Sequence, residues 1–288
     1  MISTCLVCGG PPEPFLCCPD WLTSAGTFSL ARCTACGFLW TTDAPDAQQI
    51  ERLYGPVYEQ SIHPRLAHPV LRRARMAIQT AARARMVERQ AGRRRGNVLD
   101  IGCGDGDFLQ AMLRRGWNVT GVELSHEKRK KLKASGIRAV EPDQWPAFPN
   151  GSFDAATLWH SLEHLYEPFD TLHHLRRLLV PGGICVMAVP NADSPQAKRD
   201  GAAWFGYDVP RHLWHFTPAT LTRLLDQAGF HVREFRPTRI DGFTITLLMM
   251  HVQKRRDWKR AVVKSFLRDV LMARTAQDAS CMMCIASI

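Results

Sequence analysis

The chain has 288 residues, 45% hydrophobic and 22% charged, enough to bury one full core and carry a small appendage. No apolar run approaches the roughly 18 residues of a membrane helix, and the opening Met1–Cys5 stretch lacks the basic and apolar regions of a secretory signal. A cytoplasmic location away from membranes is expected. The net charge is +10, which leaves a polyanionic partner open.

Residues 1–45 read as a small metal-binding module. Cys5-x-x-Cys8 is followed by Gly9 and Gly10, and Cys33-x-x-Cys36 by Gly37. Each pair makes a tight knuckle aimed at one ion, and four thiolates in two such pairs match tetrahedral zinc. The 24 residues between the pairs fit a ribbon with a long hairpin. Cys17 and Cys18 stand between the pairs as alternative ligands. A closed shell of four thiolates leaves no open position, so a structural role is expected.

A connector carrying Tyr54, Pro56 and Tyr58 leads to a helical pattern from Pro69 to Ala91. Residues 65–95 hold ten Arg against one Glu, and residues 254–278 hold eight Lys or Arg against three Asp. A solvated helix face explains such runs, with a nucleic-acid surface as the alternative. No aromatic side chain interleaves 65–95, so that segment offers bases no stacking platform.

From residue 96 strand and helix patterns alternate. Strands are expected at Val98–Ile101, Asn118–Leu124, Arg138–Val140, Phe153–Leu158 and Ile184–Val189, with helices between them. Thr217 caps a helix that has Pro218 at its first position and ends at Gly229. Phe230–Phe235 and Phe243–Met249 supply two final strands as an edge hairpin. The pattern gives a three-layer, mostly parallel sheet. The expected organisation is a zinc ribbon at 1–45, a connector and basic helix at 46–95, the α/β domain at 96–252 and a basic helical tail at 253–288.

The most informative stretch is Val98-Leu99-Asp100-Ile101-Gly102-Cys103-Gly104-Asp105-Gly106-Asp107. An apolar strand runs into an acidic residue and three glycines at every second position, then a helix. Glycine lets a ligand approach the main chain and permits positive φ. A dinucleotide fingerprint starting at Gly102 needs Gly or Ala at 107, where Asp107 stands. The order D-x-G-x-G-x-G resembles the first motif of class I S-adenosylmethionine-dependent methyltransferases. Ser152-Phe153-Asp154 leading to Leu162-Glu163-His164-Leu165 resembles that family's fourth-strand motif, and Pro181-Gly182-Gly183 and Val189-Pro190-Asn191 its fifth-strand surroundings. Pro210-Arg211-His212-Leu213-Trp214-His215-Phe216-Thr217 resembles a subgroup with small-molecule substrates. The two CxxC pairs before a Tyr54-x3-Tyr58 connector are similar to zinc-containing members of sugar and surface-polysaccharide pathways.

The resemblance implies a Rossmann-like domain with a seven-stranded sheet, and a cofactor site at the carboxyl ends of the strands. Asp100 braces the glycine turn, and Gly102, Cys103, Gly104 and Gly106 approach S-adenosylmethionine. Glu123 accepts from the ribose hydroxyls, with Leu124 and Trp159 beside the adenosine and Asp143 at the adenine amino group. Methyl transfer is an in-line displacement that needs alignment and, for a hydroxyl, a base. His160, His212 and His215 are the candidate bases, and Arg211 and Tyr207 the candidate acceptor contacts. Cys281 and Cys284 lie at an expected mobile terminus. The reading is methyl transfer to a small molecule, on oxygen or carbon. An RNA-modifying methyltransferase and a non-catalytic cofactor-binding regulator are the alternatives.

Overall fold

A computed structural model of the chain describes residues 4–46, 69–252 and 273–288, with the isolated positions 49, 53 and 263. Tyr54, Pro56, Tyr58 and most of the second basic segment lie outside the described residues.

The N-terminal hairpin pairs β1 (Pro12–Pro19) with β2 (Thr27–Cys33), and β2 with β3 (Leu39–Thr41), all antiparallel. Helix α1 (Pro69–Ala91) then leads into the main sheet. Its parallel strands are β4 (Asn97–Ile101), β5 (Asn118–Val122), β6 (Arg138–Val140), β7 (Phe153–Trp159) and β8 (Leu179–Pro190). The helices between them are α2 (Asp107–Leu113), α3 (His126–Ala134) and α4 (Pro168–Leu178). After β8 come α5 (Pro195–Asp200), the short strand β9 (Trp214–His215) and α6 (Pro218–Gln227). Thr217 and Thr220 close a capping box at the start of α6, and Pro218 takes its first turn.

The sheet order is β10-β11-β8-β7-β4-β5-β6, with β10 (His231–Pro237) and β11 (Cys281–Ser287) antiparallel at one end. Seven strands and a mostly parallel pairing agree with the expected fold class. Two details differ from the sequence reading. Phe243–Met249 lies inside helix α7 (Arg239–Val252), because a continuous apolar run has no period to separate strand from buried helix. The hairpin partner of β10 is instead Cys281–Ser287, pressed between β8 and β10 and almost wholly buried. The segment expected as a helical tail therefore contributes a sheet strand, and Cys281 and Cys284 are core residues.

Alternate residues of each strand point to opposite layers. Val98, Ile184, Val186 and Ile285 meet α1 and α2 through Val87, Phe108 and Met112. Leu99, Met187 and Cys284 meet α4 and α6 through Leu175 and Leu224, in a core that also takes in Phe38 and Trp40 of the N-terminal module. The module is not a separate bead: β3 pairs with β9, matching Trp40 with Trp214 and Leu39 with His215. Phe38 stacks on Trp214 at 5.9 Å and on Trp40 at 6.3 Å between ring centroids.

Candidate active site

The cofactor cradle forms where β4 ends. Gly102, Gly104 and Gly106 all adopt positive φ, near 72°, 55° and 76°, a region that favours glycine. Both the Gly102 and Cys103 amides donate to the Val122 carbonyl of the neighbouring strand, at 2.9 and 3.0 Å. A Cβ on Gly102 would stand 2.7 Å from that of Ser161, and one on Gly106 would stand 2.2 Å from Leu132 Cδ2. Beside Gly104 no heavy atom lies within 4 Å of such a Cβ, so its main chain faces open space. Glu123, just past β5, accepts from the Gly104 amide at 2.9 Å through Oε2 and from the Ser125 amide at 2.8 Å through Oε1. Each oxygen keeps a further lone pair for a hydroxyl. An open glycine main chain beside a braced carboxylate fits an adenosyl group whose ribose carries two hydroxyls.

Supporting contacts were not legible in the sequence. Arg129 of α3 donates to the Glu123 carbonyl at 2.8 Å and pairs with Glu141 at 2.5 Å, tying the Glu141–Gln144 turn to Glu123. Asp143 is exposed on that turn and Leu124 is exposed beside Glu123. Asp100 is buried, and burial pushes its carboxyl up to about 7 although Thr157 Oγ1 donates to it at 2.7 Å. The Trp159 indole is sandwiched: the Arg83 guanidinium lies 4.4 Å over its ring, and Phe108 meets it edge-on at 5.2 Å. Cys103 is held as a thiol by burial.

His160 follows β7 in a left-handed conformation, φ 56°, strained for a residue with a side chain. Its Nε2 lies 3.3 Å from Asp241 Oδ2 and its Nδ1 3.5 Å from Glu163 Oε1. Burial opposes its charge, but the Asp241 and Glu163 carboxylates outweigh it and raise its pKa to about 9. Its two carboxylate partners thus favour the protonated imidazole, which weighs against the expected role as a base. Asp241, on α7, is itself gripped by Arg83 at 3.0 and 3.1 Å. Nothing in the sequence linked Asp241 to His160, whereas the His160-x-x-Glu163 spacing was visible.

The remaining candidates fall in the seam between module and main domain. Arg211 is completely buried, donating to Asp20 at 2.7 Å and to Asp208 at 2.6 Å. It holds the two parts together and is not presented to an acceptor, a correction to its expected role. Tyr207 is buried edge-on against Trp204 and His215, at 4.9 and 5.2 Å. Burial holds His215 neutral, and its Nε2 lies 3.1 Å from Thr41 Oγ1. Both read as packing residues of the seam. His212 is buried beside His164, with ring centroids 4.6 Å apart.

At the module's tip Cys5 Sγ lies 3.6 Å from Cys36 Sγ, and Cys8 Sγ lies 3.4 Å from Cys33 Sγ. All four sulfurs stand within 4.8 Å of one another, close to the roughly 3.8 Å edge of a tetrahedral thiolate site with 2.3 Å bonds. Burial works against the Cys33 thiolate, yet the Cys36 and Ala35 amides bring it down to about 7. Cys17 and Cys18 lie on β1; Cys17 is exposed and Cys18 packs with Leu30 and Trp204, so neither joins the cluster.

This strand order, with a glycine elbow and a strand-end carboxylate at the carboxyl edge, defines a class I methyltransferase fold. A family profile described as "Methyltransferase domain" matches residues 71–234, and the chain belongs to that family. It is 36% identical over 153 residues to a ubiquinone biosynthesis O-methyltransferase of Psychrobacter arcticus, covering 46% of this chain and 58% of that one. It is 30% identical over 190 residues to one of Pseudomonas aeruginosa, covering 61% and 79%. The chain thus spans little over half the length of the first relative. A S-adenosylmethionine-dependent methyltransferase structure from Archaeoglobus fulgidus superposes with a TM-score of 0.51 at 20% identity, over 74% of this chain and 94% of that one. That likeness concerns the fold. Among the described residues no helix is long and apolar enough to cross a membrane.

Proposed function

We propose that the protein transfers a methyl group from S-adenosylmethionine to a hydroxyl oxygen of a small-molecule acceptor. The observation that carries this reading is Glu123, which spans the Gly104 and Ser125 amides at the mouth of the glycine elbow. The relatives named for O-methylation support oxygen as the acceptor atom. The bound cofactor supplies an electrophilic methyl and its own leaving group. The chain's task is then to hold the adenosyl moiety through Glu123 and the open Gly104 main chain, and to align the acceptor. With the cofactor bound, the acceptor oxygen would form the O–CH3 bond as the S–CH3 pair stays on the departing thioether, and the hydroxyl proton would pass to solvent water. We assign the four-cysteine cluster to structural zinc that fixes the hairpin knuckles.

The test is calorimetry with S-adenosylmethionine and with its demethylated product, for the wild type and Glu123→Ala. Binding by the wild type, weakened at least tenfold in the variant, supports the reading; absence of binding to either compound overturns it. A second reading, docking of RNA, draws on one observation. A cavity of about 950 Å³ at the far end of α1 is lined by Arg85, Arg89, Arg93, Arg94, Arg95 and Arg114 among others. Arg93 is paired with Asp154 and Arg115 with Glu88. RNA affinity that falls steeply with added salt would favour this reading.

A further inference from the structure

The turn after β7 and the loop before β9 bring one carboxylate and two imidazoles together. A carboxylate oxygen of Glu163 and one ring nitrogen each of His164 and His212 lie within 4.8 Å of one another. Their surroundings separate them from an ordinary structural cluster.

Glu163 has no exposed surface, yet neither of its carboxylate oxygens has a hydrogen-bond partner among the described residues. His160 Nδ1, 3.5 Å from Oε1, is too far for a good hydrogen bond. The His160 imidazole stands against Oε1 alone, which leaves Oε2 buried with no partner among the described residues, a costly state for a carboxylate. The two imidazoles, by contrast, are anchored from behind. His164 Nδ1 lies 2.9 Å from the Arg211 carbonyl, and His212 Nδ1 lies 2.9 Å from the Gly206 carbonyl. A carbonyl only accepts, so Nδ1 donates in both and Nε2 is the nitrogen left for a metal; His212 Nε2 also lies 3.9 Å from Asp208 Oδ2. This is the backing that orients metal-ligating histidines and fixes their tautomer. Two rings so oriented stand edge to face at 4.6 Å.

We infer that Glu163, His164 and His212 bind a divalent first-row transition ion such as Zn2+. Two imidazoles and one carboxylate are a donor set that leaves a position open, unlike the closed four-thiolate shell at the module's tip. Bonds of about 2.1 Å place tetrahedral donors roughly 3.4 Å apart, so loading draws the three side chains slightly inward. The location gives the open position a use. Ser161 Oγ, in the same turn, donates to the Ile101 carbonyl at 2.7 Å, directly before the glycine elbow. The trio therefore neighbours the place where the cofactor lies, and the open position suits an acceptor hydroxyl. That use rests on the methyl-transfer reading; the ion site does not.

The full-length protein is loaded with excess Zn2+, desalted, and assayed for metal per chain by mass spectrometry, with no cofactor or acceptor present. The wild type is expected to carry one equivalent more than Glu163→Gln and one more than His212→Gln. Loading with Co2+ provides a second measurement, made on the wild type and on a Cys8→Ser/Cys33→Ser variant. Four thiolates give intense near-ultraviolet charge-transfer bands and strong visible bands, whereas an N2O site gives weaker visible bands and no thiolate charge transfer. Visible bands without the four-thiolate charge transfer are expected in the Cys8→Ser/Cys33→Ser variant. Equal metal content in wild type and Glu163→Gln, or a folded Cys8→Ser/Cys33→Ser variant without cobalt bands, overturns the inference. A failure of cofactor binding in the Glu123 experiment leaves this result intact, so the two readings fall separately.

Discussion

Asp20, which ends the β1 hairpin arm, and Arg211, just ahead of β9, meet at 2.7 Å with neither side chain exposed. Asp208 accepts from the same guanidinium at 2.6 Å. Removing one member leaves an uncompensated buried charge, which costs about 3–5 kcal/mol. Asp20→Asn is therefore expected to lower the unfolding midpoint of the main domain as well as of the hairpin. Calorimetric unfolding checks this, and a loss below about 1 kcal/mol would contradict it. Burial opposes the Asp20 charge, but the hydrogen bond and charge of Arg211 win and hold its carboxyl below the usual range. A depressed folded-state pKa stabilises above the unfolded value near 4 and is lost as pH falls through the folded value. The wild type should lose stability below about pH 4 more steeply than Asp20→Asn.

Gly104 separates conformational strain from ligand space. With φ near 55° and nothing within 4 Å of an added Cβ, Gly104→Ala should cost only about 1 kcal/mol of stability. Its methyl group projects into the space assigned to the cofactor, so affinity for S-adenosylmethionine should fall more than stability does. Calorimetric binding and thermal unfolding on the same preparation give the comparison. Gly106→Ala should behave oppositely, losing stability first, because its Cβ collides with Leu132.

Asp100 offers a pH test at the cradle. Its folded-state pKa of about 7 lies above the unfolded value near 4, so between these limits the folded state binds more protons. Stability should then decline as pH rises from about 4 to 7. In Asp100→Asn that part of the slope should vanish. Unfolding free energies across the interval decide it; parallel curves would refute the assignment.

Chelation should loosen the four-cysteine knuckles. Zinc removal or Cys36→Ser is expected to raise amide exchange across residues 4–46, with a smaller rise at Leu213 to Phe216. The Thr41 amide donates to the Leu213 carbonyl at 3.0 Å, and Thr41 Oγ1 donates to the His212 carbonyl at 2.8 Å. Exchange confined to the hairpin would show that the seam holds without the metal.

The parts of the molecule that were legible in the sequence are those set by near neighbours. The elbow at 102–106 announces itself because glycine alone relieves positive φ in three alternate positions. Glu123 is placed by the length of one helix and one strand, and the cysteine pairs by their own spacing. What was missed depends on distant partners. Arg211 reads as a ligand handle until Asp20 arrives from 191 positions away, and His215 reads as a base until Thr41 arrives from 174. Asp241 sits in a run whose apolar residues suit strand or helix equally, so its grip on His160 had no local signal. The Cys281–Ser287 strand was hidden for a related reason: buried on both faces, it lacks the alternation that marks a half-exposed strand.

The pairing of β3 with β9 makes the hairpin a buttress. Thr41 grips the backbone of His212 and Nε2 of His215, so the loop bearing His212 borrows its shape from the N-terminal hairpin. Substitutions in that hairpin, far from the cofactor in sequence, should therefore register as altered handling of the acceptor before they register as loss of adenosyl binding.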